Sequence, residues 1–293
     1  MSIWSNYVLA ETLDEAIAAL GASSGESCAI AGGTDLLLDL QQGHQAPINT
    51  LVDITRIPEL GALEQRGMEL FIGAAVPVRE ITSSPLVHAH AAAISEACGL
   101  IGGPQVRNTA TLGGNVAHAL PAADGMISLV ALGATAEIAN EEGMRRVPIL
   151  ELFLGPGRSA LKRNRDVLVG FSIPLRKPGQ ASAFSRVMRP QGVALPILNA
   201  AVWIERGGNV ISDVHVAVGP SGPVPQRATE IENIMIGGAF GDDLLLSIRD
   251  AIPAAFHFRS SAQRAGAEYR YQLCEVLLEE VITTAWKRAE AAR

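Results

Sequence analysis

The first 55 residues alternate short apolar runs with glycine-rich turns, and this pattern predicts a small β-α-β-like unit. Thr12 and Glu15 have the spacing of a capping box and open an apolar periodic run at residues 16–20, which predicts a helix. Apolar runs at residues 28–30 and 51–54 predict strands, and another apolar run restarts at residues 36–38. We therefore place the limits of a first unit at residues 1–55.

A second unit is expected at residues 56–176. Its apolar pattern predicts strands at residues 70–73, 134–138 and 167–173, and helices at residues 91–98 and 125–132. A glycine-rich segment at residues 102–104 separates the first of these helices from a second glycine pair at residues 113–114. Pro174 stops the last strand, and the polar residues 176–180 are typical of a linker.

A third unit is expected at residues 180–293, with three strands followed by helices. The strands are predicted at residues 183–188, 198–204 and 210–218. The last helix has the clearest pattern, because one set of its side chains recurs at spacings of three and four. That set consists of Tyr269, Leu273, Val276, Leu277, Glu280 and Val281. It predicts one apolar face on an otherwise charged helix.

Composition narrows the class of protein. Hydrophobic residues make up 48% of the chain and aromatic residues only 4%, so the apolar content is mostly Ala, Val, Ile and Leu, as in α/β proteins. The net charge of −7 argues against binding of nucleic acid, because an acidic surface repels phosphate backbones. A bound dinucleotide stays possible, since backbone N–H groups can hold phosphates without net positive charge.

The sequence gives no sign of export or of a structural metal. Its apolar stretches are interrupted well before the length of about 20 residues that spans a membrane. The N-terminal residues lack a basic segment followed by an apolar run, which argues against a signal peptide. Cys28, Cys98 and Cys274 lie far apart and form no CxxC motif, so we expect buried or neutral thiols rather than a disulfide, zinc or iron–sulfur site. A cytoplasmic location is the default expectation.

Two glycine loops are the main candidates for chemistry. Residues 31–35 read AGGTD and residues 111–115 read TLGGN, so each loop has a glycine pair followed by a small polar residue. Glycine pairs let a backbone turn sharply and bring N–H groups close to a ligand. Two facing loops of this kind could clasp the pyrophosphate of a dinucleotide. Two ordinary tight turns are an equally good interpretation, and neither loop has the GxGxxG pattern of a Rossmann site.

Asp124 has two open interpretations. Its carboxylate could accept hydrogen bonds from hydroxyl groups of a ligand. Its position before an apolar run fits a helix N-cap equally well. The remaining sequence offers little acid–base or nucleophilic chemistry, since its serines lack the strand–turn–helix setting of a GxSxG nucleophile, it contains no HExxH, and its six histidines form no metal-binding pattern. This absence suits a flavoprotein, in which the cofactor carries the redox step.

Several segments resemble the FAD-binding subunits of the xanthine dehydrogenase and carbon monoxide dehydrogenase family of molybdenum hydroxylases. These segments are AGGTDLL, IGGPQVRNTATLGGNVAHALPAAD, GPGRSAL and, near the end of the chain, RSSAQRAGAEYRYQL. The resemblance is ordered and spans the chain. It implies an α+β protein with a vanillyl-alcohol-oxidase-type FAD-binding fold. That fold has two α/β subdomains, followed by a C-terminal domain with a small antiparallel sheet and helices.

The resemblance also implies which residues hold FAD. The first loop would wrap the diphosphate with Ile30, Ala31, Gly32, Gly33, Thr34, Asp35 and Leu36. Thr111, Gly114 and Asn115 would complete that grip. Ile101, Gly102 and Leu168 would line the cofactor, and Asp124 would hold its hydroxyl groups.

Two positions depart from the family pattern. A lysine near the flavin in relatives aligns with Arg186, which keeps the charge but is planar and bulkier. An Asp-Ile-Ala pattern nearby reads Ala194-Leu195-Pro196, which loses a carboxylate. No role is carried over to that tripeptide. The cysteine-rich insertion that binds an extra iron–sulfur cluster in one class of relatives is missing.

The function implied by the resemblance is electron transfer. A large partner subunit would carry molybdopterin and hydroxylate the substrate, and a small partner would carry two [2Fe-2S] clusters that reduce this FAD. NAD, quinone or oxygen would be the acceptor, and a dimer of heterotrimers is expected. Two alternatives stay open: a self-contained flavin-dependent oxidase of the same fold, and a scaffold subunit without flavin.

Overall fold

The described part of the chain forms three sheets of three or more strands, flanked by helices. The computed structural model describes residues 3–22, 25–189, 195–261 and 264–291. Within this part of the chain, no helix is both long enough and apolar enough to cross a membrane.

The first unit is a three-stranded parallel sheet with strand order β1-β3-β2. Its elements are β1 (Trp4–Leu9), α1 (Leu13–Gly21), β2 (Ser27–Ile30), α2 (Leu36–Gln42) and β3 (Ile48–Asp53). Thr12 caps α1 by accepting a hydrogen bond from the Glu15 N–H, as the capping-box spacing predicts. The Glu15 carboxylate accepts a hydrogen bond from the Glu11 N–H, one residue before the N–H that a capping box uses. Strand β1 was not expected, because its side chains are largely exposed and its sequence has no apolar alternation.

The second unit is a five-stranded antiparallel sheet with helices on one side. Strand order is β4-β5-β10-β6-β7. The strands are β4 (Leu63–Arg66), β5 (Glu69–Gly73), β6 (Thr135–Asn140), β7 (Gly143–Pro148) and β10 (Val167–Pro174), with a small hairpin of β8 (Phe153–Gly155) and β9 (Arg158–Ser159). The helices are α3 (Val78–Ser83), α4 (Pro85–His90), α5 (Ala92–Leu100), α6 (Pro104–Arg107), α7 (Leu112–Ala117) and α8 (Asp124–Ala131). The three predicted strands are the central ones, whereas the exposed edge strands β4 and β7 lack the apolar signal.

The third unit is a three-stranded antiparallel sheet covered by helices, in the order β11-β12-β13. Its elements are β11 (Gln180–Met188), β12 (Pro196–Gly207), β13 (Val210–Gly219), α9 (Thr229–Met235), α10 (Asp242–Ala255) and α11 (Ala267–Ala291). The prediction for α11 is correct in part: Leu277 and Val281 of the proposed apolar face are buried, whereas Tyr269 and Val276 are 46% and 62% exposed. The buried face is rotated by about one residue and runs through Cys274, Leu278 and Ile282. Two apolar stripes lie side by side in this sequence, and only packing against the sheet decides which is buried.

The second and third units share a core. Helix α5 packs against β11, and α8 packs against β12 and β13. The apolar cluster around α5 and α8 therefore includes Phe184, Ala201 and Ala217 of the third sheet. Because these contacts are extensive, side chains of β11 and β12 reach the edge of the cleft that separates the first two units.

Candidate flavin site

One cleft brings all of the predicted site residues together. Its volume is about 1090 Å³, near the upper end of the roughly 300–1,000 Å³ that is usual for small-molecule sites. The predicted residues that line it are Ile30, Ala31, Gly32, Gly33, Thr34, Asp35, Leu36, Ile101, Gly102, Thr111, Gly114, Asn115, Asp124, Leu168 and Arg186. Residues that are more than 150 positions apart in the sequence thus line the same cleft.

The first glycine loop connects β2 to α2. Gly33 has φ of 65°, a left-handed conformation that glycine adopts without strain. Among the described residues, no acceptor binds the backbone N–H groups of residues 31–35, because the chain leaves β2 before α2 begins at Leu36. Unpaired N–H groups that line a concave backbone segment form an anion-binding site. The first loop therefore has the chemistry that a diphosphate requires.

The two glycine loops are in direct backbone contact. An ideal Cβ on Gly32 would lie 2.1 Å from the carbonyl oxygen of Thr109, just before the second loop. A side chain at residue 32 would therefore push the loops apart. This close approach explains why the first loop needs glycine at that position.

The second glycine loop is built differently, because it forms the first turn of α7. The Thr111 side chain caps that helix by accepting a hydrogen bond from the Gly114 N–H at 3.0 Å. The N–H groups of Leu112, Gly113 and Asn115 also have backbone acceptors. Four consecutive N–H groups are thus already paired within the protein. The hydroxyl of Thr111 was expected to serve a ligand, and its role as a helix cap was not anticipated.

The glycines of the second loop have separate roles. A Cβ on Gly113 would lie 2.5 Å from the carbonyl oxygen of Ala74, so this glycine allows α7 to pack against the second sheet. A Cβ on Gly114 would meet only the Thr111 hydroxyl, at 3.2 Å. Gly114 is exposed to the cleft. Because Gly114 has no side chain, the cleft keeps free space beside it. The second loop contributes this space to the site.

The Ile101–Gly102 segment forms part of another wall. Gly102 has φ of 56°, and a Cβ there would also press on Val106 at 2.6 Å. The Arg107 guanidinium donates hydrogen bonds to the carbonyl oxygens of Gly102, at 2.6 Å, and of Ile101. On the opposite side, Leu168 lies at an irregularity in the pairing of β10 with β6 and is buried.

Asp124 lies in a buried polar cluster at one end of the cleft. It accepts hydrogen bonds from Asn199 Nδ2 at 2.7 Å and from Arg186 Nη1, which forms an ion pair with it. Burial raises the pKa of Asp124, and the charge of Arg186 and the hydrogen bonds partly offset that rise. The N-cap interpretation is wrong, since Ala123 is the cap residue and the Asp124 side chain makes no capping bond. Asn115 instead binds the start of α8, because its Oδ1 accepts from the Gly125 N–H at 3.1 Å.

Arg186 therefore joins the cleft to the third unit. Its side chain is only 6% exposed, and its second terminal nitrogen donates to the Leu100 carbonyl oxygen. Leu195 and Pro196 also line the cleft, while Ala194 lies outside the described residues. The departures from the family pattern are thus located at this end of the cleft.

Several cleft residues were not predicted. His44 and His118 lie 3.7 and 4.0 Å from the two carboxylate oxygens of Asp39, and all three side chains line the cleft. Arg158 and Arg163 line it as well. No spacing in the sequence connects these residues, since each comes from a different element. Only the family resemblance touched them, since Arg158 lies in the segment GPGRSAL and His118 in the longer segment at residues 101–124.

The residues that line the cleft can position a ligand and balance its charge, but they include few reactive groups. The described residues contain no group of three or more His, Cys, Asp or Glu side chains placed to bind a metal. All three cysteines are free, and burial raises the pKa of each thiol. Cys28 in the cleft is therefore a poor nucleophile.

Two family models match the chain. The first is described as the FAD binding domain in molybdopterin dehydrogenase and covers residues 3–176. The second is described as the CO dehydrogenase flavoprotein C-terminal domain and covers residues 182–285. Together they include all three sheets.

Curated relatives match over nearly their whole length. The chain is 29% identical to the carbon monoxide dehydrogenase medium chain of Hydrogenophaga pseudoflava, covering 96% of this chain and 97% of that protein. It is 30% identical to the glyceraldehyde dehydrogenase medium chain of Sulfolobus acidocaldarius, covering 93% and 95%. A putative xanthine dehydrogenase FAD-binding subunit of Escherichia coli is 29% identical, with 96% of each chain covered.

Solved structures agree with the sequence matches. A carbon monoxide dehydrogenase structure from Hydrogenophaga pseudoflava superimposes with a TM-score of 0.90 at 29% identity, covering 97% of this chain and 98% of that one. Both the FAD-binding part and the C-terminal part are therefore shared with that fold. The chain belongs to the family of FAD-binding oxidoreductase subunits of the molybdopterin dehydrogenases, which includes the xanthine and carbon monoxide dehydrogenases.

Proposed function

We propose that this chain is the electron-transfer subunit of a cytoplasmic heterotrimeric molybdenum hydroxylase. In this proposal a small partner subunit carries [2Fe-2S] clusters, and a large partner subunit carries molybdopterin and oxidises the substrate. Bound FAD supplies the redox chemistry, accepting electrons from the small subunit and passing them to NAD, quinone or oxygen. Two such heterotrimers form a dimer. The units at residues 1–55, 56–176 and 180–293 are proposed as its structural domains.

The convergence of the two glycine loops on one cleft is the observation that supports this function best. The first loop offers unpaired N–H groups at residues 31–35, and Gly114 keeps the facing wall free of a side chain. A diphosphate fits between them, because its negative charge suits the N–H groups and its bulk needs the space beside Gly114. These two features are what an FAD site requires from the backbone.

The end of the cleft at Asp124 suits the flavin half of the cofactor. Arg186 holds one Asp124 oxygen and Asn199 the other, so the carboxylate is fixed in position. Each carboxylate oxygen has more than one lone pair, and Asp124 can still accept a hydrogen bond from a hydroxyl group in the cleft. In this role Asp124 orients the cofactor and Arg186 balances its charge.

The assembly with partner subunits is supported by the nature of the relatives. The curated proteins are named as medium chains or FAD-binding subunits, which are components of larger enzymes. A similar solved structure is titled a Cu,Mo-CO dehydrogenase. The cleft contains no candidate for an independent catalytic centre beyond the groups described above. A relay subunit needs none.

Purification of the chain with its natural partners tests this function. The bound cofactors are released by denaturation and quantified, and flavin bleaching is followed after anaerobic addition of candidate substrates. We expect FAD in a one-to-one ratio with this chain, and bleaching only when the partner subunits are present. Bleaching of the isolated chain by an organic substrate would favour a self-contained oxidase. A colourless chain would favour a scaffold without flavin.

A further inference from the structure

Four arginines meet at the start of α11. Arg259 and Arg264 belong to the segment that leads into this helix, Arg270 lies in its first turn, and Arg189 follows the end of β11. The Arg189 guanidinium donates to the carbonyl oxygen of Arg264 at 3.4 Å, which brings the two segments together. We call Arg189, Arg259, Arg264 and Arg270 the arginine cluster.

The segment that carries the arginine cluster is held in place by its own hydrogen bonds. The Ser260 hydroxyl accepts from the Ala267 N–H at 3.0 Å, and the Ser261 N–H donates to the Ala265 carbonyl oxygen at 2.9 Å. The Tyr271 hydroxyl donates to the Phe256 carbonyl oxygen at 2.8 Å. Arg259, Arg264 and Arg270 are therefore carried by residues that are held by hydrogen bonds on both sides of positions 262 and 263.

Arg270 is buried without a counterion. It is 6% exposed, and its Nε has no hydrogen-bond partner. Two other arginines with nearly buried side chains also have one nitrogen without a hydrogen-bond partner, but each has a carboxylate: Arg186 pairs with Asp124, and Arg206 pairs with Glu290 and stacks on Trp286. Burial, together with the nearby charges of Arg264 and Arg259, lowers the pKa of Arg270.

The whole arginine cluster lacks acidic partners. In the described part of the chain, none of its four members forms an ion pair with a carboxylate. This is unusual in a protein with a net charge of −7, where acidic side chains outnumber basic ones. Buried charge without a partner is costly, so a compensating anion from outside the chain would stabilise the cluster.

The arginine cluster adjoins one end of the cleft. Strand β11 carries Arg186 in the cleft, and Arg189 follows directly after the strand, three residues later, which is roughly 10 Å of extended chain at most. Met188 and Leu195 at this end are 37% and 50% exposed. Arginine combined with exposed methionine is typical of the central part of protein interfaces, whereas a site for a small phosphate has little use for exposed apolar side chains.

We infer that the arginine cluster is the docking surface for an acidic segment of a partner subunit, which covers the Arg186 end of the cleft. Planar guanidinium groups bind carboxylates through two parallel hydrogen bonds, so one or two Asp or Glu side chains can pair with Arg259 and Arg264. Their negative charge would also compensate the nearby buried charge of Arg270. The inference rests on the proposed function, because it requires a multi-subunit enzyme. It adds which surface of this chain holds the partner and by what chemistry.

Charge reversal in the complete complex tests the inference. The double variant Arg259→Glu/Arg264→Glu is co-expressed with the molybdopterin and iron–sulfur subunits, and assembly is measured by native mass spectrometry at increasing salt. The control is Arg56→Glu/Arg79→Glu, which changes the net charge equally at two exposed arginines elsewhere. We expect the cluster variant to assemble at least tenfold more weakly than the wild type. We expect the control variant to assemble as the wild type does. Wild-type assembly of the cluster variant, or equal loss in both variants, would overturn the inference.

Arg270→Met separates docking from folding. We expect this variant to be at least as stable as the wild type when the chain is isolated, because it removes a buried charge that has no partner. We expect the same variant to assemble more weakly with the partners. If Arg270→Met instead destabilised the isolated chain and left assembly normal, Arg270 would have a structural role. That result would contradict the inference.

Two further outcomes are distinguished by the same samples. If the wild-type chain itself does not assemble with the two subunits, the proposed function fails rather than the docking surface. Titration of the isolated chain with inorganic pyrophosphate tests for a small-anion site. Saturable pyrophosphate binding that Arg259→Glu/Arg264→Glu abolishes, combined with normal assembly, would overturn the inference.

Discussion

The two glycine loops look alike in sequence and differ in structure. The first loop, at residues 31–35, lines the cleft, and its N–H groups have no acceptor among the described residues. The second loop, at residues 111–115, is the capped first turn of a helix, and its N–H groups from residue 112 onward already have acceptors. We therefore expect the first loop to bind the diphosphate and the second to provide the space for it. A repeated glycine pair does not imply a repeated function.

The largest effect is expected for Gly32→Ala. The added Cβ would lie 2.1 Å from the Thr109 carbonyl oxygen, so the two loops must separate. Overpacking of this kind costs about 1–3 kcal/mol and sometimes more. We expect lower stability in urea denaturation and loss of FAD on purification. Gly61→Ala, where no atom lies within 4 Å of the new Cβ, is the control and should behave as the wild type. Retention of FAD and stability in Gly32→Ala would show that the loop contact is unimportant.

Gly114→Val is expected to affect the cofactor more than the fold. The new side chain meets only Thr111 within the protein but occupies the cleft, and valine has a higher helix propensity than glycine. FAD affinity should fall roughly tenfold or more, a change of about 1.4 kcal/mol, while the stability of the apoprotein stays near that of the wild type. Isothermal titration of apoprotein with FAD measures the first quantity. Gly99→Val, at a helical glycine with a single ordinary contact, serves as the comparison. Wild-type FAD content in Gly114→Val would remove residue 114 from the site.

Thr111→Ala is expected to have a smaller effect, on stability alone. Loss of the N-cap bond to Gly114 costs about 1 kcal/mol, and serine should restore most of it because it keeps the hydroxyl. Urea denaturation of the apoprotein gives the free energy of unfolding for each variant. If alanine instead left stability unchanged and weakened FAD binding, the Thr111 hydroxyl would act on the ligand as the sequence first suggested.

The smallest effect concerns Asp166, another residue that lines the cleft. Burial raises its pKa, but hydrogen bonds from Asn140, the Lys162 N–H and Arg145 outweigh burial, so the net pKa is below its ordinary value. A lowered pKa stabilises the fold above the ordinary value of 3.8, and this stabilisation disappears as the pH falls through the folded-state pKa.

Asp166→Asn should therefore show a shallower loss of stability below about pH 4 than the wild type. The difference in slope should be a fraction of the roughly 1.4 kcal/mol per pH unit that one full proton gives. Denaturation series at several acidic pH values measure it. Identical slopes in the two proteins would assign the acid sensitivity to other groups, such as those near the loops.

The sequence predicted the elements with strong apolar patterns and the residues that share the cleft. Buried strands such as β5 and β10 were found, but the exposed edge strands β1, β4 and β7 were not, because one-sided burial leaves a weak pattern. All fifteen predicted site residues line one cleft. Their roles as FAD ligands stay predictions.

The hydrogen-bond partners of the site residues could not be predicted from the sequence. Asp124 is held by Arg186 and Asn199, which come from two strands of another unit. Thr111 uses its hydroxyl within its own helix, and Asn115 uses its carbonyl oxygen on α8. Such choices depend on which polar groups meet after folding, and spacing along the chain does not encode them.

Amide hydrogen exchange, measured residue by residue in apoprotein and in protein loaded with FAD, tests the difference between the loops most directly. Exchange reports whether an N–H group has an acceptor. We predict that FAD slows exchange strongly at residues 31–35 and changes it little at residues 112–115, which are already bonded. Slowing confined to residues 112–115, with residues 31–35 unchanged, would contradict the assignment of the diphosphate to the first loop.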